Sequence, residues 1–334
     1  MPNAIIIGTG SYLPPKRLAN KELEQWPFVN SKGESYTVSS AEIVGKTGIR
    51  ERRVAEEENT SDMAAEAGRR AIAAAGVHPD DVDLVLLATS TPDQKIPKTA
   101  PQVAAKIGLH GVPAYDFGKD CSGWIEALEA ASYYIMAGRY EHILVIGADR
   151  CTSFINKSNK GTAVLFGDGA GAALLTATND PNRGFLEAVA GSQGDHYDKL
   201  WVPVGGSALP YSPSLSGDHF FLKMDGKAIA GFASQVFAVG VERILAKRHF
   251  VPENLDLLIP HQANLRVIEA GAKALDLPMT KVVTTLETTG NTAAASVPIA
   301  LDEAVRQNRL KPGYLLCLTG YGAGLSWIAA LMRW

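Results

Sequence analysis

Apolar runs of strand length alternate along the chain with stretches whose apolar positions recur at helical spacing. AIIIG (4–8), VDLVLLATS (82–90), HILVIGAD (142–149) and AGAALLTA (170–177) are short, continuous and bounded by turn residues, as buried strands are. Between them SDMAAEAGRRAIAAAG (61–76) and SGWIEALEAASYYIMAG (122–138) keep helical periodicity, and each stops at glycine. The alternation predicts an α/β fold with largely parallel strands covered on both faces. AIIIG is read as a first strand and not as a leader, and no unbroken apolar run reaches the roughly 18 residues of a membrane span.

Two echoes run through this pattern. HPDDVDLVLLATS (78–90) follows a helical segment, and so does VPENLDLLIPH (251–261); each reads as helix, proline turn, strand. FGDGAGAALL (166–175) is matched by TGYGAGLSWIAALM (319–332), read as a glycine-rich turn leading into a closing strand. The same units recur in the same order half a chain apart. They predict a duplication, with halves 1–180 and 181–334 meeting at the polar stretch TNDPNRG (178–184) and a cleft between their loops.

Composition adds exclusions. The chain has 334 residues, 46% hydrophobic and 20% charged, and a net charge of −3. That is the balance of a globular protein with a sizeable core, and it offers no basic surface for a nucleic acid or a membrane. Its three cysteines, Cys121, Cys151 and Cys317, lie far apart and lack metal or disulfide spacing, which points to a reducing cytoplasm.

Four places can carry chemistry. Cys121, in GKDCSGWIEALEAA (118–131), is either a small buried hydrophobe or a nucleophile. A helix start after it would favour the thiolate. His261, in LIPHQANLRVIEAGAKAL (258–275), stands at a strand tip where open α/β folds place ligand-facing groups, though a lone histidine is commonly structural. In the same stretch Asn264 reads as a cap of the following helix. Asn291, in a Gly-Asn-Thr turn before small residues, is a turn former or an amide aimed into a cleft. The glycines of TGYGAG (319–324) form either a tight turn or an exposed set of backbone N–H groups. Cysteine, histidine, asparagine and a glycine turn are together the ingredients of nucleophilic acyl chemistry.

Taken together, IIGTGSYLP (6–14), KTGIRERR (46–53), DCSG (120–123), FGDGAGAALL (166–175), PHQANLR (260–266), GNTAAASVP (290–298) and GAGLSW (322–327) resemble the β-ketoacyl-acyl carrier protein synthase III family of the thiolase superfamily. The resemblance covers nearly the whole chain in family order. It implies a five-layered α-β-α-β-α fold from two duplicated halves and a homodimer. It also implies a catalytic Cys121, His261 and Asn291, with backbone N–H groups of Cys121 and Ala323 as the oxyanion hole. Cys121 would take an acyl group from acyl-CoA or an acyl carrier, then yield it to decarboxylating malonyl-acyl carrier protein, with no cofactor. The alternative is a specialised relative that uses a non-acetyl donor, with or without decarboxylation.

Further positions follow from the same resemblance. Arg266 and Lys273 match donor- or carrier-contacting positions, where a third basic residue is replaced by Gly231, and Asn264 is expected among the substrate- or carrier-binding residues with them. Ile96 matches a residue that limits the acyl pocket across the dimer. Glu42 and Lys46, after the unusual polar insertion FVNSKGESY (28–36), replace a tryptophan and an arginine at the CoA adenine; Lys160 replaces a second arginine. Lys119-Asp120 stands where small apolar residues are usual, and reads either as a surface ion pair or as a change of charge near the thioester.

Overall fold

Residues 2–215 and 217–334 are described by the structure, a computed structural model. A first sheet holds β1 (Asn3–Tyr12), β2 (Leu84–Ala88), β3 (Ala114–Phe117), β4 (Ile143–Arg150) and β5 (Asp168–Thr178), in the order β1-β5-β4-β2-β3. A second holds β6 (Gly184–Ser192), β7 (Leu257–Pro260), β8 (Leu315–Gly322) and β9 (Ser326–Arg333), in the order β6-β9-β8-β7. The orders superpose if β1, β5, β4 and β2 stand for β6, β9, β8 and β7. The counterpart of β3 shrinks to a single parallel bridge between Leu258 and Val282.

Alternation along the strands makes the layers. In β2, Leu84 and Leu86 face one side with Ile143 and Val145 of β4, and Val85 and Leu87 face the other with Leu144 and Ile146. The first set packs on α4 (Gly123–Met136) and α7 (Ser296–Arg306), which lie between the sheets and also receive Leu316 and Leu318 of β8. The second set packs under α2 (Thr60–Ala75) and α3 (Thr99–Ile107). On the far face of the second sheet, Leu315 and Cys317 pack under α5 (Gly226–Lys247) and α6 (Leu265–Ala274). The result is helix, sheet, helix, sheet, helix. Both echoed proline turns are present, as 3-10 turns at Pro79–Asp81 and Pro252–Asn254.

Two expectations need correction. Parallel pairing is confined to β2–β3, β2–β4 and β7–β8; the other pairs in both sheets are antiparallel. A parallel return needs a long crossover. Residues 151–167 between β4 and β5 hold only short helical turns, and three residues separate β8 from β9. Second, Gly169 and Gly171 lie inside β5 and not in a turn. Gly171 is there because α7 crosses so closely that an added Cβ would lie 2.6 Å from the Ile299 nitrogen. The helix α5 has the length and composition of a membrane span, yet half of its apolar window is buried, one face packs on the second sheet, and Lys227, Glu242 and Arg243 interrupt it, so no unbroken apolar run reaches that length.

Candidate active site

Both sheets direct the C-terminal ends of their parallel strands toward one region. Cys121 follows β3 in a turn directly before α4, His261 follows β7, and Asn291 lies in the turn leading to α7. The end of β8 lies against the Cys121 turn: a Cβ added to Gly322 would stand 2.9 Å from the Cys121 Cβ and 3.4 Å from its Sγ. Gly322 is extended, so space and not backbone freedom calls for glycine there. Ser122 Oγ reaches Ser326 Oγ at 3.1 Å and fastens the turn to β9.

Two cavities open from the thiol. The first, about 310 Å³, is lined by Cys121, His261 and Asn291, with Lys46, Lys160 and Asn264 toward its rim. The second, about 320 Å³, takes Cys121, Asp120 and Ser90 with an otherwise apolar and aromatic wall that includes Phe154, Trp201 and Leu222. Ala323 lines the second cavity, one residue beyond the close approach at Gly322.

The hydrogen-bonding groups of the lysine-rimmed cavity are fixed from behind. His261 is 1% exposed, and burial pulls its pKa down to about 3, so the ring is neutral at any working pH. Its Nδ1 lies 2.6 Å from Ser296 Oγ, which accepts the Gln262 N–H at 3.4 Å. The Ser296 hydrogen is thus free to go to Nδ1. The network assigns the ring proton to Nε2, as a donor for the cavity. Asn291 is pinned by its own backbone, with N donating to Leu165 O and O accepting from Gly167 N, each at 2.9 Å. Its Oδ1 accepts from Ala293 N at 2.9 Å, which leaves the NH₂ group to donate. Gly290 makes the turn possible: its φ of 68° is open to glycine, and an added Cβ would lie 2.9 Å from Leu165 O.

Behind this turn Arg52 is fully buried with no carboxylate among its hydrogen-bond partners in the described residues. It donates to Leu18 O, Asn20 Oδ1 and Val164 O, tying the 164–167 segment in place, and burial lowers its pKa to about 10. On the other side Asp149 binds the loop after β2 to the loop before α7. One oxygen accepts from Ser90 N at 2.7 Å and Thr91 N at 3.1 Å, and the other from Ala294 N at 2.8 Å. Burial pushes its pKa up to about 7 against those donors.

The thiol differs from the expectation. A helix of 14 residues does begin behind Cys121. Yet burial first, then the carboxylates of Asp120 and Asp149, push its pKa well above the usual value. At rest Cys121 is a thiol, since one helix end does not offset desolvation and two nearby acids.

Lys119 and Asp120 are not a surface pair. Lys119 turns to Glu126, with Nζ–Oε1 at 3.3 Å, and Asp120 forms part of the aromatic cavity wall. At the other rim, on α1 (Ser40–Thr47), Glu42 lies between Lys46 at 2.9 Å and Lys160 at 3.2 Å, and their hydrogen bonds lower its pKa. Lys160 also sits 5.4 Å from the Tyr36 ring centroid. The insertion that brings Tyr36 there is a small hairpin, Phe28–Val29 with Ser35–Tyr36, held by the buried Phe28. Asn264 caps α6 by accepting from Arg266 N and also lines the cavity. Arg266 and Lys273 are exposed on α6 outside both cavities, and Gly231 is exposed on α5. Ile96 is 84% exposed and reaches neither cavity within one chain.

Sequence reasoning had no individual role for Ser296, Arg52, Asp149 or Tyr321. Ser296 and Arg52 sit inside quoted motifs, and Asp149 ends a strand, the usual place for a loop-binding acid. Tyr321 stacks edge-on against His261 at 5.2 Å between centroids, its buried hydroxyl without a partner among the described residues.

Comparison with known proteins agrees with this geometry. Residues 115–194 match the family model described as 3-oxoacyl-[acyl-carrier-protein (ACP)] synthase III, and residues 245–334 match the one described as its C-terminal part. A beta-ketoacyl-[acyl-carrier-protein] synthase III of Laribacter hongkongensis is 43% identical over 335 residues, covering 100% of both chains. Its counterpart in Caldanaerobacter subterraneus subsp. tengcongensis is 40% identical over 331 residues, 98% of this chain and 97% of the relative. The crystal structure of 3-oxoacyl-[acyl-carrier-protein] synthase III from Aquifex aeolicus superposes with a TM-score of 0.89 at 36% identity, covering 99% of this chain and 100% of that one.

Proposed function

This chain belongs to the 3-oxoacyl-[acyl-carrier-protein] synthase III family of condensing acyltransferases, and from that premise we propose how its residues divide the reaction. Cys121 Sγ attacks the carbonyl of an acyl-CoA or acyl-carrier thioester. The carbon–sulfur bond to the donor breaks, and the thiol proton leaves on the departing pantetheine thiol. The N–H groups of Cys121 and Ala323 carry the negative oxygen of the tetrahedral intermediate. The acyl chain then occupies the aromatic cavity.

Malonyl-acyl carrier protein enters by the lysine-rimmed cavity. Its carbon–carboxylate bond breaks, CO₂ leaves, and the electron pair forms an enolate. His261 Nε2–H and the Asn291 NH₂ donate to the enolate oxygen. Both are neutral donors fixed by their neighbours, so little reorganisation accompanies the charge as it forms. The enolate carbon attacks the Cys121 thioester, closing a carbon–carbon bond and returning the sulfur, which regains a proton.

The reaction so written needs no cofactor beyond the thioesters. Arg266 and Lys273, exposed beside the rim, fit the approach of an acidic carrier, and exposed Ile96 fits a place at the contact of a homodimer. Three free, buried cysteines suit a reducing cytoplasm. The convergence of Cys121, His261 and Asn291 on one cavity carries the reading. The test is intact-mass measurement after incubation with acyl-CoA and acyl-carrier donors. An adduct of acyl mass that Cys121→Ala removes is expected; no adduct with any donor rejects the reading.

A further inference from the structure

Among the side chains that line the lysine-rimmed cavity, Tyr321 carries a polar atom with no task in the fold. It stands in β8 one residue before Gly322 and lines that cavity with Cys121, His261 and Asn291. The residue is 2% exposed, and its Oη is buried with no hydrogen-bond partner among the described residues. Edge-on packing against His261, with the ring planes at 81°, holds the phenol ring but gives its hydroxyl no acceptor. The core cluster it joins, under α5 and α6, is otherwise apolar, so phenylalanine would fill the same space. A buried hydroxyl left unmatched is unfavourable, and its presence beside a nucleophile points to a bond made during the reaction.

The Cys121 sulfur must carry negative charge twice in each turnover, when it attacks the donor and when the condensed product leaves it. Burial opposes that charge, and the carboxylates of Asp120 and Asp149 add to the opposition. Burial pushes the Cys151 thiol up as well, so it too is neutral. No cation stands against the sulfur to offset this: His261 is neutral, Lys119 pairs with Glu126, and Lys46 and Lys160 stand at the rim. The groups left to favour a thiolate are the Cys121 backbone N–H, the start of α4 and the Tyr321 hydroxyl. Burial and then the charge of Cys121 hold the phenol proton in place, so Tyr321 is a donor and not a base. A thiol is a weak acceptor and a thiolate a strong one; a hydroxyl with no other acceptor turns its hydrogen to the sulfur as charge forms. We propose that the Tyr321 hydroxyl donates a hydrogen bond to the Cys121 sulfur while that atom is anionic. The phenol keeps its proton throughout, and the thiol proton leaves on the departing pantetheine as before. This rests on the acyl-transfer reading above and adds a catalytic residue to it.

Tyr321→Phe removes the hydroxyl and nothing else. The first measurement is the rate at which iodoacetamide alkylates Cys121, followed by intact mass from pH 7 to 9 with Cys121→Ala as the blank. Alkylation consumes the thiolate and needs no acyl donor, so it tests the hydrogen bond apart from acyl transfer. It should slow about tenfold at every pH in that range, the scale of one hydrogen bond to a charged group, and acyl loading of Cys121 should slow with it. The second measurement is the urea midpoint, which should hold or rise, because the variant no longer buries an unmatched hydroxyl. Three results overturn the proposal. Alkylation at the wild-type rate means that the sulfur does not use the hydroxyl. A midpoint that falls means that the hydroxyl serves the fold. A loss confined to CO₂ release from malonyl-carrier assigns the hydroxyl to the enolate oxygen. Slowed alkylation in a protein that no acyl donor labels removes the acyl-transfer reading and leaves the bond to sulfur standing.

Discussion

In the lysine-rimmed cavity the donors that face the thiol are held by a neighbour: His261 by Ser296, Asn291 by its backbone bonds and the Ala293 N–H. In the aromatic cavity Asp120 has Ser90 beside it, and the rest of the wall is mainly apolar and aromatic. The two spaces share Cys121 and are nearly equal in volume, so the contrast lies in what their walls demand. Donors that must stabilise a developing charge are most effective when fixed in advance. A wall that holds an acyl chain needs chiefly shape and apolar contact. The difference separates a part that does chemistry from a part that chooses.

Crowding the junction of the two cavities tests that separation most severely. Gly322→Ala brings a methyl to within 2.9 Å of Cys121 Cβ, so the turn or the strand end must shift. Both acyl loading and condensation are expected to fall by on the order of 10²-fold in single-turnover assays, the effect of ångström-scale misplacement. Unchanged rates would mean that the close packing of β8 on the Cys121 turn does not set the geometry.

A narrower change should affect one cavity alone. Ser296→Ala removes the partner that holds the His261 proton on Nε2. Condensation is expected to slow by about tenfold, with Cys121 loading and the KM for malonyl-carrier unchanged. A parallel loss in loading would show that the serine supports the fold and not the tautomer.

The same histidine leaves a mark on stability. Its folded pKa, about 3, lies below the ordinary value of 6.5, so the unfolded chain binds a proton the folded chain refuses. Stability from this residue is complete above pH 6.5 and declines as pH falls below it, by about 1.4 kcal/mol per pH unit. Urea denaturation between pH 6.5 and 5 should show this slope, and His261→Asn should flatten it. The smallest effect belongs to the rim. Glu42→Gln frees Lys46 and Lys160, and should lower the KM for CoA-bound donors about two- to threefold at low salt, an effect that fades at high salt.

Much of this architecture is visible in the chain. The helix stops at Gly76 and Gly138, the proline turns and the strand at 142–149 appear where the hydrophobic pattern puts them. Strand direction is not visible there, because it depends on whether a connection is long enough to cross over, as the three residues between β8 and β9 are not. Nor can the pattern tell a turn glycine from Gly171, which makes room for a crossing helix at Ile299, far along the chain. Motif spacing nominates Cys121, His261 and Asn291, but it does not contain the distances that bring them to one cavity. Asp120 stands out in sequence only as an oddity. Its place on the cavity wall, and the pairing of Lys119 with Glu126 beside it, exist only once the chain has folded.

The division of labour is tested most directly by CO₂ release from malonyl-carrier labelled in its free carboxyl, measured with the loading of Cys121 in the same samples. His261→Ala and Asn291→Ala should each reduce CO₂ release by about 10²–10³-fold while the acyl adduct on Cys121 persists. Release at wild-type rates from either variant, or none from the wild-type protein, would contradict the account.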